Sequence, residues 1–329
     1  MAKASAKTGL DRMLALEIVR VTEATAVAAA RLRGRGDEAA ADQAAMGAMY
    51  RELAALPIQG VMVVGEGEES ETALLYIGET IGAGASSGAK VDIAVDALEG
   101  STLCAKALPN ALAVMAIAER GSLLKVPVIY MDKIAIGPGY ANGLVDLDAS
   151  PADNLDRLAK AKGVKLAEIT ACILDRPRHA KLIEAVRAAG AAVRLIGDGD
   201  IAGVIHTTEP QDTGIDIYMG VGGAPEGVLA AAALACIGGQ MQGRLVAPNE
   251  QQRERAHAAG ITDLKRKYTM HDMASGDVSF AATGITDGSL LEGVRFTPGA
   301  IFTHTVVMRA STRTVRWIRT EHRDIDKFD

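Results

Sequence analysis

The chain has 329 residues, 49% hydrophobic and 23% charged, with a formal net charge of −6. It is long enough for two hydrophobic cores, and its acidic balance excludes a general nucleic-acid or polyanion surface. Aromatics make up only 3% of a chain that carries 35 glycines, which favours close-packed α/β layers over an aromatic-rich β-sandwich.

In chain order, the apolar spacing of Leu14, Ile18, Val19 and Val21 predicts a helix over residues 10–33, closed by Gly34-Arg35-Gly36. Asp37 can cap a second helix, from about Glu38 to Leu56, with Asp42 on its first turns. A short strand, Val61 to Val64, then delivers Gly65-Glu66-Gly67-Glu68. The glycines on either side of Glu66 let the backbone approach a ligand closely. After a glycine loop at 82–88 comes VDIAVDALEGST, residues 91–102, which reads as a buried, parallel-type strand ending in Asp96 and Glu99. Two carboxylates at a strand end are hard ligands for Mg²⁺ or Mn²⁺. The glycine and hydroxyls that follow suit a phosphate at a helix start. An acidic loop with Ser101 as a helix cap is the alternative.

A strand over 111–119 follows, then another ending near Tyr130-Met131-Asp132-Lys133, and a helix opened by Ser150-Pro151. A second cycle of alternating elements starts near residue 166, so the expected division is 1–165 and 166–329. Its strands, 169–174, 192–196 and 215–219, end in Asp175-Arg176-Pro177-Arg178-His179, Gly197-Asp198-Gly199-Asp200 and GVGGAPEG. A helix from Glu226 to Ile237, a strand at 239–246, a polar helix at 249–259 and strands at 278–283 and 303–308 complete the series. Trp317, in a basic tail, reads as a packing residue, and His179 as a packing or hydrogen-bonding residue rather than a ligand.

Asp42, Glu66, Glu68, Asp96, Glu99, Asp198, Asp200 and Glu226 thus recur at strand ends and helix starts. Carboxylates gathered on one edge repel unless cations neutralise them, which points to a multi-metal site. Arg176 and Arg178 on either side of a rigid proline match phosphate oxygens. Together these indicate metal-assisted phosphate-ester hydrolysis. Cys104, Cys172 and Cys236 show no CxxC pairing and read as buried thiols in a reducing compartment. No secretory signal and no apolar run of bilayer-spanning length is present. A cytoplasmic protein bound to neither membrane nor nucleic acid is expected.

GRGD with Asp42 beyond it, VVGEGE, VDIAVDALEGS, YMDKIAIGPG, ILDRPRHA, GDGD, GVGGAPEGV, ATGITDGSLLEGV and VMRASTRTVR occur in an order and spacing that resembles the class II fructose-1,6-bisphosphatases of the GlpX type. The likeness runs from about residue 10 to residue 320. It implies a layered α-β-α-β-α sandwich of the metal-dependent, lithium-sensitive phosphatases, with two sheet-containing domains. It implies two or three Mn²⁺ or Mg²⁺ ions, with Asp42 and Glu66 matching one metal site and Asp96, Glu99 and Glu226 another. Glu99, Gly100 and Ser101 match the segment that holds the scissile phosphate. Tyr130, Arg176, Pro177, Arg178, Asp198, Gly199, Asp200 and Gly223 match the sugar-bisphosphate contacts. The implied reaction is hydrolysis of the 1-phosphate of fructose 1,6-bisphosphate in a homodimer or homotetramer, with Ser101, Asp42 and Glu68 as catalytic candidates. Sedoheptulose 1,7-bisphosphate, an inositol phosphate and a catalytically impaired sugar-phosphate-binding paralogue are the alternatives. Four positions depart from the family pattern: Glu38 for lysine, Ser70 for aspartate, Ala97 for the signature proline and Ser101 for threonine. The first two change charge beside the site.

Overall fold

The computed structural model describes residue 10, residues 14–84 and residues 88–329. Residues 11–13 of the expected N-terminal helix and the middle of the 82–88 loop lie outside them. The strands are β1 (Ile58–Val64), β2 (Thr80–Ile81), β3 (Ala89–Glu99), β4 (Leu112–Glu119), β5 (Tyr130–Ile136), β6 (Thr170–Leu174), β7 (Ala192–Ile196), β8 (Ile217–Gly223), β9 (Gln240–Val246), β10 (Tyr268–Thr269), β11 (Val278–Gly284), β12 (Arg295–Thr297), β13 (Ala300–Arg309) and β14 (Thr314–His322). The helices are α1 (Leu14–Ala30), α2 (Glu38–Ala55), α3 (Ser101–Ala105), α4 (Pro151–Lys162), α5 (Ala180–Ala189), α6 (Asp200–Ile205), α7 (Pro210–Thr213), α8 (Ala224–Ile237), α9 (Glu250–Ala258) and α10 (Met270–Met273).

Among the described residues the strands form two mixed sheets. One runs β12-β13-β11-β4-β3-β1-β2 with β14 on the far side of β13, and the other runs β10-β9-β5-β8-β6-β7. Helices α1 and α2 cover the outer face of the first sheet, α4 and α5 the outer face of the second, and α8 lies between the two. This is the expected α-β-α-β-α order.

Strand β4 shows why the layers form. Leu112, Val114, Ala116 and Ala118 point into the core between the sheets, while Ala113, Met115 and Ile117 point into the core under α1 and α2. A strand buried on both faces is apolar throughout and alternates only in which core it feeds. Helix α8, AxxxVLAAAALACI in pattern, is apolar all round because it faces a sheet on each side. Its alanines let the sheets approach closely.

Several expectations need correcting. A division at residue 165 does not match how the strands are shared: β5 belongs to the second sheet, and β11 to β14 return to the first. Strand β3 is parallel to β1 on one side but antiparallel to β4 on the other. Strand β5 begins at Tyr130 rather than ending near it; Pro127, without an N–H, stays outside the ladder. The basic tail forms β14, an edge strand on which Trp317 remains 42% exposed rather than packed. No helix among the described residues is long and apolar enough to cross a membrane.

Candidate active site

The site lies where the carboxyl ends of β1 and β3 meet the corresponding edge of the second sheet. Asp96 and Glu99 are three residues apart, so simple alternation would turn them to opposite faces of β3. A β-bulge prevents this. Asp96 is opposite Val114 and Glu99 opposite Leu112, so three steps on β3 match two on β4. Val114 and Leu112 share the inter-sheet face, and both carboxylates therefore share it too. Gly100 then takes a left-handed conformation, φ +85°, and α3 starts at Ser101. The N-cap is Gly100, so the Ser101 hydroxyl is not used as a helix cap.

The other carboxylates arrive from different elements. Glu66 follows β1, and its Oε1 accepts the Ala97 N–H at 2.7 Å, tying the ends of β1 and β3 together. A proline at 97 would have no N–H to give, so this departure from the family pattern creates a bond to Glu66. Asp42 comes from the second turn of α2 and Glu226 from the first turn of α8. Asp200 opens α6, and the Ile201 N–H donates to Glu99 Oε1, linking the second sheet's edge to β3.

These groups feel one another. Burial first, then Glu38, raises Asp42 to about 6. Burial raises Glu66 to about 7; the Ala97 N–H opposes the rise, and Asp42 and Glu226 add to it. Burial and then Asp200 raise Glu226 to about 7, against the nearby Lys133. Asp96 and Glu99 are both pushed well above the usual range, again chiefly by burial. Perturbations of this kind, concentrated in one cleft, mark functional sites.

Comparison with Asp92, on the same strand, separates function from structure. Its Oδ2 accepts three backbone N–H groups, from Gly121, Ser122 and Leu123, and it pairs with Arg120. By contrast, Glu99 Oε2 and Glu226 Oε2 are buried and have no hydrogen-bond partner. Buried carboxylate oxygens without donors fit a cation. Among the described residues no three His, Cys, Asp or Glu side chains converge on a single ion-sized point. A hard cation held by one or two carboxylates completes its shell with water and phosphate oxygens, as Mg²⁺ commonly does.

The basic side is built on β5, β6 and β8. Because β5 runs antiparallel to β8, Tyr130 at its start lies opposite Gly223 at the end of β8. Pro177 opens a short 3₁₀ turn, with Arg176 before it and Arg178 within it. Arg178 lies 5.1 Å above the Tyr130 ring and donates twice to the Val221 carbonyl, at 3.0 and 2.8 Å. Arg176, half-buried, is 3.9 Å from Asp198. His179 bridges the Leu174 carbonyl, 2.7 Å from Nδ1, and the Val221 N–H, 2.8 Å from Nε2. It is a hydrogen-bonding strut, as expected. Gly199, φ +83°, is the left-handed N-cap that turns Asp198 and Asp200 toward the carboxylates.

Glu68 is not among the charges that perturb the cluster; its N–H is held by Glu71 Oε2 and Ser70 is exposed. Glu38, exposed at the start of α2, does act on Asp42 and Asp198. Lys133 was not singled out from the sequence. It is 1% exposed and paired with Asp200. Its one sequence signal is a lysine inside an otherwise apolar strand pattern, YMDKIAI. The large cavity of about 690 Å³ lined by Arg33, Asp287, Glu292 and Arg295 contains none of the site residues.

A profile of the family described as bacterial fructose-1,6-bisphosphatase, glpX-encoded, matches residues 12–322. A protein of Synechococcus sp. strain JA-3-3Ab, named D-fructose 1,6-bisphosphatase class 2/sedoheptulose 1,7-bisphosphatase, is 43% identical over 336 aligned positions, covering 95% of this chain and 96% of the relative. A protein of the same name from Synechococcus elongatus is 41% identical, covering 95% and 97%. Matched over nearly its whole length, the chain belongs to the glpX-encoded bacterial fructose-1,6-bisphosphatase family.

Proposed function

We propose that the protein hydrolyses the 1-phosphate of fructose 1,6-bisphosphate, using Mn²⁺ or Mg²⁺ held by Asp42, Glu66, Asp96, Glu99 and Glu226. The observation that carries the reading is the pair of buried, partnerless oxygens on Glu99 and Glu226 within a face of mutually repelling carboxylates. Bound divalent ions supply Lewis acidity toward the phosphoryl oxygens and favour an activated water.

The chain's own residues do the rest. Asp42, at the edge of the metal-holding face, accepts the proton of the attacking water. The Ser101 hydroxyl orients that water for in-line attack, with backbone at the start of α3 facing the phosphate. As the water oxygen bonds to phosphorus, the bond between phosphorus and the ester oxygen breaks and the leaving alkoxide takes up a proton from solvent, giving inorganic phosphate and fructose 6-phosphate. Arg176, Arg178 and Tyr130 hold the other phosphate, and Asp198, Asp200 and Gly223 line the sugar. Two relatives carry sedoheptulose 1,7-bisphosphatase in their names, which makes that bisphosphate the second substrate to test. The reading carries with it a cytoplasmic homodimer or homotetramer, whose contacts would cover exposed Leu16, Val315 and Trp317.

The test is phosphate release from fructose 1,6-bisphosphate with and without Mn²⁺, beside a Glu66→Ala variant. Mn²⁺-dependent release that the variant lacks is expected. Binding of the bisphosphate without release above the variant would identify a non-catalytic paralogue.

A further inference from the structure

We propose that Lys133 is a positioning residue for the sugar end of the substrate: its buried ammonium joins Asp200 to the Gly223 carbonyl and so fixes two walls of the subsite. The inference rests on the sugar-bisphosphatase reading.

Lys133 sits in the middle of β5, opposite Gly220 on β8 and Gly243 on β9. Its Nζ donates to Asp200 Oδ2 and, at 2.8 Å, to the Gly223 carbonyl. The passage it follows is walled by glycine. A Cβ at Gly222 would collide with the Asp200 carboxylate and come within 2.9 Å of Lys133 Nζ; one at Gly227 would lie 3.3 Å from Lys133 Cδ. The glycines of GVGGAPEG therefore make room for a cation beneath the site as well as for a ligand above it.

Stability alone is a poor account of this arrangement. A buried ion pair stabilises little relative to apolar side chains of the same volume, and replacing one is often neutral or favourable. What the pair does supply is direction. One ammonium thus anchors both the Asp200 carboxylate and the β8–α8 turn. The ammonium ends on two groups of the sugar subsite, whereas the Ser101 segment and Glu66 are held by contacts of their own.

The experiment compares two substrates on the full-length, Mn²⁺-loaded enzyme: fructose 1,6-bisphosphate, and p-nitrophenyl phosphate, which has no sugar. Lys133→Met is expected to lower kcat/KM for the bisphosphate about 10- to 100-fold, mainly through KM, as for loss of a charged hydrogen bond. Turnover of p-nitrophenyl phosphate should stay within about threefold of wild type. If Lys133→Met does not fold, Lys133→Gln, whose shorter amide cannot reach both Asp200 and the Gly223 carbonyl, carries the same comparison. It should unfold below the wild-type temperature while keeping the raised KM. Equal losses on both substrates, or a wild-type KM in either Lys133 variant, would overturn the assignment. A wild-type enzyme inactive on both substrates would instead count against the proposed function.

Discussion

Withdrawing divalent cations leaves the carboxylate face to repel itself, and the stability of the cation-free protein should then fall as pH rises. Burial is the main cause that raises Glu66 and Glu226 from 4.5 to about 7. In the unfolded chain both release their protons near the ordinary value; in the folded protein they keep them to about neutrality. Between those limits the folded state binds more protons, so raising the pH favours unfolding. A displacement of this size corresponds to roughly 3 kcal/mol for one group over the full range, of which roughly 2 kcal/mol per group, about 4 kcal/mol for the two, falls between about pH 5.5 and about pH 8. For a chain of 329 residues, an unfolding entropy near 2 cal/mol/K per residue turns that into a drop of about 6 °C. The assay is thermal unfolding of chelator-treated protein at about pH 5.5 and about pH 8. Mn²⁺ should restore stability most at the higher pH, where it competes with fewer protons. Glu66→Gln/Glu226→Gln should flatten the dependence. A chelated protein at least as stable at the higher pH, or a double variant with the wild-type slope, would refute the reasoning.

Other outcomes follow from particular contacts. Ala97→Pro removes the N–H bonded to Glu66; loss of a hydrogen bond to a charged group, about 1.5–3 kcal/mol, should raise the Mn²⁺ concentration for half-maximal phosphate release about tenfold or more. An unchanged Mn²⁺ requirement would mean that the bond does not orient Glu66. Glu38→Lys takes a negative charge from beside Asp42 and Asp198, so the acid limb of the pH–rate profile should move to lower pH and KM should fall. A profile and KM identical to wild type would argue that Glu38 does not act on the site. His179→Ala cuts the link between the Leu174 carbonyl and the Val221 N–H and should cost about 2–3 kcal/mol in urea unfolding, with no change in midpoint counting against a strut.

Much of the layered fold was legible because strands buried on both faces write themselves as apolar runs. Residues 91–95, 111–119 and 278–283 are examples, and the site carboxylates could be picked out where such runs stopped. Sheet membership was not legible. Nothing local in β11 to β14 says that they return to the first sheet, because strand pairing across more than 150 positions is decided by which faces remain to be covered. Strand β14 was missed although Thr314, Val315, Trp317, Ile318 and Thr320 are strand formers; its arginines, which suit an exposed edge, made it read as a tail. The bulge that turns Asp96 and Glu99 to one face is a matter of register, visible only against β4. Glu68 looked like Glu66 in sequence because both flank Gly67, yet only Glu66 bonds the end of β3. Lys133 escaped notice because its partners, Asp200 and Gly223, lie 67 and 90 positions away.

The central claim is that the carboxylate face works on one phosphate while the arginines hold the other. Phosphorus NMR of fructose 1,6-bisphosphate incubated with the Mg²⁺-loaded protein tests it most directly. Loss of the 1-phosphate signal, with fructose 6-phosphate as the sugar product and no loss in the presence of chelator, is the predicted result. Release of the 6-phosphate, or hydrolysis that continues undiminished after chelation, would contradict the account.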